Sequence, residues 1–179
     1  MQALFLFLPG YIANMMPVLF WRSKFLELLR QSIDGGLRFN REPLFGPHKT
    51  YAGFVMAVAG GLLTILLQAW LYATVPTLRW IFLFPYTLPG VLWWGFLLGF
   101  GALFGDLVKS FIKRRLHIKS GGVFFPFDQL DFVVGGLGFG SSYFIPSWTH
   151  IWILLLLTPL LHFMVNVIAY QLKLKHVWW

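Results

Sequence analysis

Cysteine is absent from the chain, which removes thiol nucleophiles, cysteine-ligated zinc and any disulfide framework. Charge is scarce as well. Only 11% of residues are Asp, Glu, Lys or Arg, with 6 acids against 14 bases and a net charge of +8. Catalytic signatures are missing too: there is no GxxxxGK[ST] phosphate loop, no HExxH, and no grouping of Ser, His and Asp. No internal repeat is visible, which weighs against the inverted-repeat plan of many transporters. What fills the sequence is hydrocarbon. Of 179 residues 58% are apolar, including 20 Phe and 9 Trp, more than one soluble core can bury and the opposite of a disordered composition. The chain reads as an integral membrane protein.

Uncharged stretches run over 2–20, 51–78, 80–105 and 132–170. A membrane helix needs about 17 to 25 residues, so the last stretch holds two helices, divided at Pro146 and Ser147. The first stretch has no basic leader and no small-residue cleavage site, and it contains Pro9, Asn14 and Pro17; it is read as a retained helix, not a signal peptide. The expectation is an all-α, polytopic membrane protein, a single integral membrane domain over 1–179. Its five transmembrane helices are placed at about 2–20, 51–73, 80–104, 132–145 and 151–170, and two cytoplasmic loops, 21–50 and 105–131, form the active site.

Five spans put the termini on opposite faces. One face then receives Arg22, Lys24, Arg30, Arg38, Arg41, Lys49, Lys109, Lys113, Arg114, Arg115, Lys119, Lys173 and Lys175, and the other only Arg79. By the positive-inside rule the basic face is cytoplasmic and the N-terminus lies outside a multi-pass protein of the cell membrane. The lipid bilayer, not nucleic acid, is the expected surrounding. Trp70, Trp80, Trp148, Trp152, Trp178 and Trp179 fall near span ends, as interfacial anchors do. Gly95 with Gly99, Gly101 with Gly105, and Gly53, Ala57 and Gly61 form small-xxx-small faces for close helix packing, as does the run from Gly135 to Gly140.

All six acids, Glu27, Asp34, Glu42, Asp106, Asp128 and Asp131, fall on the basic face, although the insertion rule does not sort acids. Solvated ion pairs explain this as well as a site holding a cation beside a polyanion does. Asp106, Lys109, Ser110 and Lys113 recur at i, i+3, i+4 and i+7, so a third helix prolonged past the membrane presents them on one face. Asp128 and Asp131, three apart after Pro126, fall in the opening turn of the fourth helix. Dipole and capping effects explain one of them; the pair also resembles a Mg²⁺ site that keeps waters and takes substrate phosphates. In the first loop Asp34, Gly35, Gly36 and then Gly46, Pro47, His48, Lys49 and Thr50 combine flexible backbone with side chains that suit phosphate, or simply make a turn. Thr158, His162, Asn166 and Tyr170 form a polar stripe on the last helix, and Asn14 stands alone in the first; interhelical hydrogen bonding is the ordinary reading of both.

The stretch Gly101 to Arg115, with Gly105-Asp106, Lys109-Ser110 and Lys113-Arg114-Arg115, followed by Lys119-Ser-Gly-Gly and Asp128-Gln-Leu-Asp131-Phe, closely resembles the CDP-archaeol synthase family. More distantly, Ser110, Lys113, Arg114, Asp128 and Asp131 resemble the phosphatidate cytidylyltransferase signature. The likeness extends to Asn14, Pro17, Asp34, the segment from Phe45 to Gly53, His162, Asn166, Tyr170 and Trp178. It implies Mg²⁺-dependent transfer of CMP from CTP to 2,3-bis-(O-geranylgeranyl)-glycerol 1-phosphate, yielding CDP-archaeol and pyrophosphate in phospholipid biosynthesis. On that footing Asp128, Asp131 and Asp106 are expected as metal ligands and, with Lys113, as the catalytic set. Lys49, Thr50, Asp34, Ser110, Arg114 and Lys119 are expected to bind nucleotide phosphates, and Asn14, His162 and Asn166 the lipid substrate. A homodimer is a further expectation. The competing readings are an ester-linked phosphatidate acceptor, which would make CDP-diacylglycerol, and a small lipid or anion transporter.

Overall fold

The computed structural model describes residues 1–20, 24–84, 86–119 and 122–171. Arg22, Pro85, Lys173, Lys175, Trp178 and Trp179 lie outside the described residues, as does the side chain of Lys24. Five helices carry the fold: α1 (Gln2–Leu19), α2 (Tyr51–Thr74), α3 (Leu88–Arg115), α4 (Phe127–Gly140) and α5 (Trp148–Gln171). The first loop adds a two-residue hairpin, β1 (Arg38–Phe39) with β2 (Glu42–Pro43), closed by Asn40 and Arg41 at φ of 52° and 67°. Both central residues of such a tight turn need positive φ to match the twist of the strands.

Four helices are long and apolar enough to cross a membrane: α1, α2, α3, and α5 over Trp148–Ile168. The fifth span expected from the sequence is shorter. With 14 residues, α4 rises about 21 Å against a hydrocarbon core of about 30 Å. Two expected boundaries are corrected. The third helix runs from Leu88 to Arg115, not 80–104, because Pro76 opens a separate 3-10 turn (Pro76–Ile81) and Pro89 sits in the first turn of α3, where its missing N–H costs nothing. The second loop therefore begins at 116, not 105. The fourth helix occupies Phe127–Gly140 instead of 132–145, starting after Pro126 and ending where the Ser141 and Ser142 hydroxyls donate to the Gly138 and Phe139 carbonyls.

Successive helices alternate in direction, and α3 is the central one. Its Gly95 and Gly99 lie on Gly61 and Ala57 of α2, and its Gly101 and Gly105 on α4. A Cβ at Gly101 would stand 2.5 Å from the Gly135 carbonyl oxygen, so any side chain there forces the helices apart. The antiparallel contact is continuous: Gly105 meets Asp131, Gly101 meets Gly135, Trp94 meets Gly140, and Gly90 meets Tyr143. Trp94, Leu98, Leu6, Phe7, Phe132 and Val133 fill the core between α1, α3 and α4.

Two prolines in α1 each remove a backbone donor. Pro9 leaves the Phe5 carbonyl without its helical partner, and Gln68 Nε2 of α2 donates to it at 2.6 Å. Gln68 is thus a polar residue 1% exposed in an apolar helix, serving a proline on its neighbour. Gln68→Leu is expected to leave that carbonyl unsatisfied and to lower stability by about 1–3 kcal/mol, read from thermal unfolding in detergent. An unchanged midpoint would show that the bond contributes no more than is lost by burying the Gln68 Oε1, which has no hydrogen-bond partner among the described residues.

Candidate active site

The site forms where α3 runs on past its apolar stretch and α4 begins. Nothing between Gly105 and Arg115 breaks the helix, so Asp106, Lys109, Ser110 and Lys113 emerge on one face. Across the glycine contact α4 presents Asp128 and Asp131. The Lys109 ammonium lies 3.0 Å from Asp106 Oδ1, 3.3 Å from Asp128 Oδ1 and 2.6 Å from Asp131 Oδ2. Lys113 Nζ adds bonds to both oxygens of Asp128 at 3.0 and 3.2 Å and to the Gly122 carbonyl, and Lys49 pairs with Asp106. Three ammonium groups and three carboxylates thereby balance in a half-buried cluster, with Lys113 and Ser110 themselves buried.

Lys49 is delivered by a loop that Asp34 organises. Ser32 Oγ and Gly36 N donate to Asp34 Oδ1 at 2.6 and 3.0 Å, while Phe45 N and Gly46 N donate to Oδ2 at 3.0 and 3.1 Å. Gly46 takes φ of 106°, a region that side chains disfavour. Ile33 N donates to the Lys49 carbonyl at 2.7 Å, bringing the loop back beside its own start. Arg115 fixes the same loop to the end of α3. Its guanidinium lies over the Phe39 and Phe111 rings and donates to the carbonyls of Phe39, Glu42 and Pro43.

Two of the molecule's cavities share a border, and the first of them holds members of the cluster. A polar one of about 350 Å³ is lined by Phe45, Gly46, Lys49, Lys109, Ser110, Lys113, Arg114, Asp128 and Gln129, with His162 and Asn166 of α5. An apolar groove of about 570 Å³ between α1 and α5 is lined by Leu4, Leu8, Tyr11, Asn14, Phe132, Thr158 and Leu161, and again by His162 and Asn166. Those two residues, 3.0 Å apart through Nδ1 and Nδ2, stand at both.

The structure thus brings together Asp106, Asp128, Asp131, Lys49, Lys113, Ser110 and Arg114, and places Asn14, His162 and Asn166 along one groove. The expected phosphate binders Thr50, Asp34 and Lys119 line neither of these two cavities, although Thr50 borders a third together with Lys49 and Asp106. Thr50 is buried at the N-cap of α2, its hydroxyl accepting from Gly53 N at 3.2 Å. Asp34 spends its carboxylate on loop backbone, and Lys119 is exposed and lines neither cavity. Lys109, which the spacing puts on one face with Asp106 but which was given no role in the site, stands at the centre, and Gln129, given none either, has a buried Oε1 with no hydrogen-bond partner among the described residues.

For a divalent ion the donor chemistry fits: three carboxylates offer the hard oxygens that such ions take. Among the described residues, however, no three acidic or histidine side chains are placed to hold an ion directly; the carboxylates are drawn in on Lys109 instead.

Burial alone would raise the Asp34 carboxyl, but the hydrogen bonds from Ser32 and from the Phe45, Gly46 and Gly36 amides outweigh it and hold the pKa at about 2, below the ordinary 3.8. A depressed carboxyl stabilises the fold fully above its unfolded pKa and loses that contribution as pH falls through the folded one. Asp34→Asn would turn an amide nitrogen or a weaker acceptor toward these donors. The variant is expected to unfold at lower temperature near pH 6, with the deficit shrinking between about pH 4 and pH 2. A deficit independent of pH across that window would refute the assignment.

Comparison with known proteins bears on what this cluster serves. A family model described as CarS-like, CDP-archaeol synthase, matches residues 1–179. The CDP-archaeol synthase of Methanospirillum hungatei JF-1 is 40% identical over 179 residues, covering 96% of this chain and 99% of its own. That of Methanococcus maripaludis strain C7 is 37% identical, covering 99% and 96%, and that of Pyrococcus furiosus 33% identical, covering 100% and 98%. A solved structure described as an intramembrane enzyme for archaeal membrane lipids biosynthesis matches with a TM-score of 0.74 at 27% identity, covering 92% of both chains. By a match that spans its full length, and by relatives of equal extent, this chain belongs to the CDP-archaeol synthase family.

Proposed function

We propose that the chain is a multi-pass membrane cytidylyltransferase that transfers CMP from CTP to 2,3-bis-(O-geranylgeranyl)-glycerol 1-phosphate with the help of Mg²⁺. The family supports the reaction, and one observation carries the assignment of its place: the polar cavity lined by Lys49, Lys109, Lys113 and Asp128 shares His162 and Asn166 with an apolar groove. CTP enters the polar cavity from the cytoplasm, and the lipid phosphate arrives along the α1–α5 groove with its chains still in the bilayer. The orientation follows from the basic loops, with the N-terminus outside. The unbroken contact of α4 down α3 as far as Gly90 and Tyr143 supports α4 and the segment after it as a fifth crossing.

The reaction forms a bond from a lipid phosphate oxygen to the α-phosphorus of CTP and breaks the bond from that phosphorus to the α–β bridging oxygen; pyrophosphate leaves. The lipid phosphate is already anionic near pH 7, so no general base is needed. Repulsion is the obstacle. Each pair of unit charges about 4 Å apart costs about 4 kcal/mol at an effective dielectric of 20, and several such pairs exceed the ~3–5 kcal/mol that a general base contributes. Lys113, Lys49 and Arg114 hold the nucleotide phosphates and Ser110 donates to them. Asp128, Asp131 and Asp106 would hold Mg²⁺, which neutralises phosphate charge when bound.

With purified protein in lipid, CTP and Mg²⁺, the geranylgeranyl ether phosphate is expected to give pyrophosphate and CDP-lipid, and Asp128→Asn to reduce turnover at least a hundredfold. Turnover with phosphatidate alone would move the acceptor to the ester class, and no nucleotidyl transfer to either lipid would defeat the proposal. His162→Ala is expected to raise the KM for lipid more than that for CTP; equal increases would remove His162 from the lipid path.

A further inference from the structure

Lys109 is shared by all three carboxylates, at 3.0, 3.3 and 2.6 Å. Lys49 and Lys113 differ in this respect, the first pairing with Asp106 and the second with Asp128. The Lys109 side chain is 15% exposed and that of Asp131 4%, so solvent and salt screen the interaction weakly. Yet the same carboxylates are not placed to hold a metal ion directly. The ammonium lies among the three carboxylates, within 3.3 Å of an oxygen of each.

We propose that Lys109 is an internal counter-cation, which holds Asp106, Asp128 and Asp131 together in the absence of substrate and bars a divalent ion from them until a nucleotide phosphate draws its ammonium away. The proposal rests on the reading of these carboxylates as Mg²⁺ ligands. Charge balance supports it. With Lys49, Lys109 and Lys113 the three acids sum to zero, and an ion entering alone would add two uncompensated positive charges to a half-buried site, a costly change. An ion entering with a triphosphate brings its own anions, and these give Lys109 a new partner of equal quality. Ion and nucleotide binding are then coupled, each raising the affinity for the other. Without such a cation, three carboxylates this close would repel one another and bind divalent ions unaided.

The test uses Mn²⁺ as a paramagnetic probe and counts the ion retained by detergent-purified full-length protein in equilibrium dialysis, beyond what nucleotide alone retains. Wild type is expected to bind Mn²⁺ at least tenfold more tightly with CTP than without it. Lys109→Met is expected to bind Mn²⁺ without nucleotide at least tenfold more tightly than wild type, whereas Lys109→Arg, which keeps the charge, stays near wild type. Equal Mn²⁺ affinity of wild type with and without CTP would overturn the proposal while leaving the carboxylates as ligands; so would a folded Lys109→Met variant that binds no more tightly. Absence of Mn²⁺ binding even with CTP would overturn the metal reading itself and this proposal with it. Should Lys109→Met fail to fold, the wild-type ratio decides alone.

Discussion

Backbone packed on backbone sets the distance between α3 and α4, because Gly101, Gly105 and Gly135 put no side chain between them. Everything chemical in the molecule hangs on that spacing. Asp131 belongs to the turn of α4 that rests on Gly105, and its carboxylate meets Lys109 one turn further along α3 at 2.6 Å. A hydrogen bond of this kind is lost beyond about 3.5 Å, and the charge attraction that remains falls off with distance. A single methyl group at the crossing, well away from any charge, would therefore open the cluster as surely as the loss of one of its members.

The cluster is also the reason these elements tolerate charge at the edge of an apolar bundle. A lone half-buried carboxylate or ammonium carries a desolvation penalty of several kcal/mol; six together in alternating sign satisfy one another. The consequence is cooperativity. Removing one partner strands another, so the effects of substitutions within the group do not add. Asp34, by contrast, is held entirely by neutral donors of its own loop and stands thermodynamically apart, although its loop carries Lys49 into the cluster.

Much of this was legible in the sequence, for identifiable reasons. Long uncharged runs and the one-sided distribution of bases announce a polytopic membrane protein, and the i, i+3, i+7 spacing of Asp106, Lys109 and Lys113 announces a shared face once the helix is known to continue. Helix ends were harder to read. The run from Trp80 to Gly105 is apolar throughout, and only the chain path around Pro76 and Pro89 decides that α3 starts at Leu88. Its helical spacing puts Lys109 beside Asp106, but only the packing of α4 on α3 adds Asp128 and Asp131 to it. Thr50 and Asp34 resemble phosphate ligands by residue type, but local backbone N–H groups claim them first. Gln68 gives no sign in its own helix; its partner is decided by Pro9, which lies on another.

Arg115 ties the hairpin of the first loop to the end of α3 through three carbonyls and two aromatic faces. Mechanically this makes one wall of the polar cavity continuous with the central helix, since Gly46 and Lys49 come from the tied loop and Lys109 and Lys113 from α3. The opposite wall is α5, which has the smallest buried share of the four long apolar helices. Because that outer helix supplies His162 and Asn166 to the polar cavity and to the apolar groove alike, one face of it bounds both.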